Sequence, residues 1–120
     1  MTPGTRVAAA YVAGRLISGK ASAAIYDYSQ GGFHQMSGAV HGTSVNIYDH
    51  TEGSAITGTL SGKTLSLFHH GQRAPITVNL NAPHFSGFDF GTSSHFSGHV
   101  SGQTISLFDY DAGKYFQYSM

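Results

Sequence analysis

One pattern recurs down the chain and limits what it can fold into. It is a Gly-bearing pair, then a short alternating run, then an aromatic residue followed by Asp or His. Its fullest form is Ser101–Tyr110, with close copies at Ser61–His70 and His41–His50 and looser ones at Asn81–Phe90 and from Ser18 to Tyr28. Aligned on the residue after the aromatic, the copies give the column Asp27, Asp49, His69, Asp89 and Asp109, spaced 22, 20, 20 and 20 residues apart. A repeat at fixed period sets an architecture before any local propensity does.

Each unit continues into a second apolar run. Met36–Val40, Ile56–Leu60 and Phe96–Val100 share the form apolar-x-Gly-x-apolar. Ile76–Leu80 and Phe116–Met120 take the same place in the other units, and Val12–Leu16 supplies a leading half-repeat. Apolar and polar residues alternate within the runs, which is the period of a strand. The Ser-Gly and His-Gly pairs suit two-residue hairpin loops, and the Asp…Gly segments suit longer turns. The expectation is one all-β domain over residues 1–120. It is an antiparallel meander of about eleven short strands, made of five hairpin repeats of ~20 residues plus the half-repeat.

With Ser101-Gly102 as a loop, Gly98 opposes Ile105 and Phe96 opposes Leu107; likewise Gly58 opposes Leu65 and Gly38 opposes Val45. In the odd copy the small residue changes strand, with Val78 facing Phe85 and Ile76 facing Gly87. One face is then aliphatic with a Gly seam, and the other carries Ser, Thr and Asn with an aromatic column. Closing so many strands into a barrel leaves an interior too wide to fill without a plug helix, and no segment reads as one. The meander is therefore expected to fold over its aliphatic face as a sandwich or roll. The alternative is a β-solenoid of 20-residue coils, which stacks the Asp column at ~4.8 Å in a repulsive ladder. The hairpin array resembles the MORN repeats in architecture alone. Their aromatic-Gly-Trp signature is missing from a chain with no Trp, so the resemblance implies no function.

Lys plus Arg balance Asp plus Glu at six each, giving no electrostatic handle on nucleic acid or anionic membrane. The absence of Cys excludes disulfides, thiol nucleophiles and cysteine metal sites. The apolar run Val7–Val12, broken by Gly14 and Arg15, makes a poor signal peptide, and no run is long enough for a transmembrane helix.

Eight His invite a metal reading. Adjacent His69 and His70 point to opposite faces of a strand, and His41 lies in a turn. His84 and His99 share the polar face, but on strands that this meander does not pair directly. The histidines are expected to be solvated, with no metal and no cofactor. The Asp column reads as turn chemistry, with Glu52 and Asp111 solvated in the same loops. No nucleophile, phosphate-loop or metalloprotease motif is present, so the chain is expected not to be an enzyme. What remains is binding or structural assembly. The candidate binding residues are the rings Tyr26, Tyr48, Phe68, Phe88 and Phe108 with the second row Tyr28, His50, His70, Phe90 and Tyr110. Rings flanked by hydroxyls suit a glycan, as in a lectin-like module, or a protein partner. The uncharged last strand, Tyr115–Met120, suggests edge-to-edge addition, giving a homo-oligomer, a filament or a surface-layer subunit.

Overall fold

The computed structural model describes every residue, Met1–Met120. The chain opens with a helix, α1 (Pro3–Ser18), and continues as ten strands. These are β1 (Ala24–Asp27), β2 (Gly32–His41), β3 (Ser44–Asp49), β4 (Ser54–Ser61), β5 (Thr64–His69), β6 (Ala74–Asn81), β7 (His84–Asp89), β8 (Ser94–Ser101), β9 (Thr104–Asp109) and β10 (Lys114–Ser119).

Helix α1 has local reasons to form. Thr2 caps it by accepting the Thr5 amide at 3.3 Å, and Pro3 opens the first turn. Gly19 stops it in the left-handed conformation at φ 72°, its N–H donating to the Arg15 carbonyl. From Val7 to Gly14 the helix is apolar on every side, and Gly4 through Gly14 are all buried. Such a helix belongs inside a larger structure rather than on it.

What surrounds it is the sheet. Each strand pairs antiparallel with the next, and β10 returns to pair β1 through Tyr26↔Ser119 and Asp27↔Tyr118. The meander is a closed ten-strand barrel around a central helix. This corrects both the sandwich or roll and the solenoid alternative. It also corrects the leading half-repeat, because Val12–Leu16 is helical and there are ten strands, not eleven. The aliphatic residues point inward onto Val7, Tyr11 and Val12 of the plug. Closure removes the free edges on which edge-strand addition rested. Phe116 is buried under the Arg6 guanidinium, 3.8 Å from its ring centre.

The register differs from the expected one by two residues in each tight hairpin. Ser101 still pairs with Thr104, the turn is Gly102-Gln103, and Gly98 opposes Leu107 rather than Ile105. Gly58 likewise opposes Leu67, and Gly38 opposes Ile47. A shift of two preserves which face each side chain occupies, so the two faces stand. In the odd copy the exchanged pair is Val78 with Gly87. The seam glycines are needed for close backbone approach. A Cβ on Gly38, Gly58, Gly87 or Gly98 would lie 2.2, 2.1, 2.0 or 2.1 Å from a carbonyl oxygen of the neighbouring strand. Glycine bends of this kind give a sheet the curvature that closure demands.

Candidate functional site

The repeated Asp column is buried, lining the inside of the barrel at its long-turn end. Each member holds its own turn. The Oδ1 atoms of Asp27, Asp49, Asp89 and Asp109 accept the amides of Ser29, Thr51, Gly91 and Asp111 at 2.8 to 3.0 Å. His69 does the same through Nδ1, from the Gln72 amide at 3.1 Å. Three of the second oxygens find partners in the interior, where the N-terminus of α1 brings partial positive charge, and Asp27 Oδ2 is buried without one. Arg6 Nη1 donates to Asp109 Oδ2 at 3.3 Å, Thr5 Oγ1 donates to Asp89 Oδ2 at 3.4 Å, and His34 Nδ1 meets Asp49 Oδ2 at 2.9 Å. Burial lowers the His69 pKa and raises that of Tyr118, to which the Asp27 charge adds. These groups are enclosed, so the column organises the fold from within and presents no surface to a ligand. Parity in the sequence carries this signal, since Asp109 follows the inward Leu107 by two.

The aromatic residues lie outside. All ten candidate residues sit on the outer wall at the long-turn end, grouped as five edge-to-face pairs. Tyr26–Tyr28, Tyr48–His50, Phe68–His70, Phe88–Phe90 and Phe108–Tyr110 have ring centres 4.8, 4.9, 4.8, 4.8 and 4.8 Å apart. The second row is the exposed one, and three of its heads reach a hydroxyl on the preceding strand. His50 meets Ser37 at 2.6 Å, His70 meets Thr57 at 2.8 Å, and Tyr110 meets Ser97 at 3.2 Å. Three further rings complete the girdle: Phe33 on Tyr26, His95 on Phe88 and Tyr115 on Phe108, at 4.7, 4.6 and 4.9 Å. Sequence reasoning missed these three because they open the second strand of their units, and only the register sets them opposite the column.

The wall is not uniform around the barrel. Where β7 and β8 carry Gly87 and Gly98, the outer surface is hollowed. Two adjoining hollows of about 490 and 370 Å³ share Asn79, Ser86 and Ser97. The larger is floored by these with Thr77 and rimmed by Phe88, His95 and Tyr110. The smaller lies toward the tight turns and contains His84 and His99. No Lys, Arg, Asp or Glu lines either hollow. His84 and His99 are direct cross-strand partners on β7 and β8, which corrects the expectation that their strands are not paired. No protein-family model, curated protein or solved structure matches the chain.

Proposed function

We propose that the protein is a non-catalytic binding module that takes a neutral carbohydrate in the larger hollow between β6 and β9. One observation carries this reading. An uncharged floor of amide and hydroxyl groups, Asn79, Ser86 and Ser97, lies beside the rings of Phe88 and Tyr110. A sugar has the matching duality, with an apolar C–H face that stacks on a ring and hydroxyls that exchange hydrogen bonds with amides. An open hollow buries only part of such a ligand, so modest affinity follows. Edge-strand assembly loses its support because β1 and β10 pair with each other.

Screening the purified chain against neutral oligosaccharides, followed by calorimetry on those retained, tests the reading. Tyr110→Ala and Asn79→Ala are each expected to weaken binding about tenfold, equivalent to about 1.4 kcal/mol. Phe33→Ala, on β2 across the barrel, should leave affinity unchanged. Absence of binding to any neutral glycan, or equal loss in all three variants, overturns the assignment.

A further inference from the structure

Four of the eight histidines are committed to hydrogen bonds: His34, His50, His69 and His70. His84 and His99 hold none, are exposed, and face each other with ring centres 6.2 Å apart and planes at 64°. We infer that this pair binds a divalent transition-metal ion of the copper, nickel or zinc class through one nitrogen of each ring.

The backbone places the two rings for this. The Val100 amide donates to the Pro83 carbonyl at 2.8 Å, so the ladder bonds fall on the residues flanking the pair. His84 and His99 are therefore a non-hydrogen-bonded pair, the arrangement in which opposed Cα atoms stand only about 4.5 Å apart and side chains approach most closely. An ion bound about 2.0–2.1 Å from an imidazole nitrogen lies about 3.2 Å from the ring centre, so two rings sharing it stand at most about 6.4 Å apart, when they face each other in line across it. The observed 6.2 Å is inside that limit, and side-chain rotation that brings the ring centres to about 5.2 Å gives the tetrahedral angle. Imidazole suits this group of metals, whereas magnesium and calcium prefer oxygen.

The surroundings suit an ion that keeps water in its remaining positions. The hollow has about 370 Å³ of space, and Asn79, Asn81, Ser86 and Ser97 offer it oxygen and amide groups. No Lys or Arg lines it, so no fixed cation opposes the charge. The two readings share the floor residues Asn79, Ser86 and Ser97, whereas His84 and His99 line only the smaller hollow and Phe88 and Tyr110 only the larger.

The test is calorimetric titration of the untagged full chain with nickel, copper and zinc chlorides in a non-chelating buffer, repeated on His84→Ala, His99→Ala and His50→Ala. One ion per chain is expected, with binding at least about tenfold weaker in each of the first two variants and unchanged in the third. Both substituted rings are exposed, so melting temperatures near wild type are expected and confirm that folding is intact. Addition of zinc should also shift the imidazole nitrogen resonances of His84 and His99 together. Binding that survives at wild-type strength in either single variant, or no binding by any of the three metals, overturns the inference. Tyr110→Ala should retain metal even where it loses sugar, which separates the two readings.

Discussion

His69 takes the position in its turn that Asp holds in the other four units, and the exchange has a consequence for pH. Its Nδ1 is an acceptor, so the ring is neutral with its proton on Nε2, and that nitrogen is buried without a protein partner. Burial lowers the His69 pKa from 6.5, with Glu52, Asp49 and Asp89 opposing part of the shift. Protonation would place a second N–H against the Gln72 amide. Below about pH 6.5 the unfolded chain therefore takes up a proton that folded His69 refuses. The unfolded state binds more protons, and stability falls as pH falls, levelling off once the folded ring is itself protonated. His69→Asn keeps an acceptor for the Gln72 amide without a titrating group. Urea unfolding between pH 7.5 and pH 5 should show a shallower loss for the variant than for the parent chain. Identical slopes would mean that His69 is as easily charged folded as unfolded.

At the scale of strands, the seam glycines decide whether the wall can bend. A Cβ on Gly98 would lie 2.1 Å from the Ser106 carbonyl oxygen and 2.5 Å from Phe85 Cζ. A ring can turn aside in a looser core, but the carbonyl belongs to the ladder and has nowhere to go. Gly98→Ala is expected to cost about 1–3 kcal/mol by overpacking. Gly32→Ala, where a Cβ meets nothing within 4 Å, should stay within about 0.5 kcal/mol of the parent. Equal unfolding midpoints for the two variants would show that β8 is not held against β9 as described. Much of this level was legible in the chain. Strands, turns and the division into two faces follow from local alternation and from where Gly and Asp fall. The register was not, because it depends on whether Ser101 and Thr104 close the ladder or open the loop, and Gly-bearing turns accept either count. The ten aromatic candidates stand out because they repeat, whereas the hollow is lined by residues from β6 to the turn after β9, which only the register brings together and alternation does not report.

At the scale of the whole molecule, the barrel and its helix explain each other. Ten strands enclose more room than their own side chains fill, so the wall needs an apolar rod. Helix α1 provides it, with Ala8, Ala9 and Ala10 keeping it slim and Val7, Tyr11 and Val12 filling the space. The same composition hid it. A helix apolar on all sides has no amphipathic period to read, and Val12–Leu16 imitates the apolar-x-Gly-x-apolar element of the strands. Closure is also the thinnest part of the design, since β1 meets β10 through two registered pairs while the tight hairpins hold six. The helix braces both flanks of that seam, with Arg6 on the β9–β10 side and the Tyr11 hydroxyl donating to the Ser22 carbonyl just ahead of β1. Arg6 reaches Asp109 at 3.3 Å and covers the Phe116 ring. A chain lacking residues 1–19 should therefore lose its cooperative melt while keeping strand content, and should bind hydrophobic dye as loosely packed states do. Supplying those residues as a separate peptide should restore a cooperative transition, because the interior they fill is complementary to nothing else in the chain. A truncated chain that melts cooperatively near the parent temperature would mean the strands close without a plug, and the helix would be cargo rather than core.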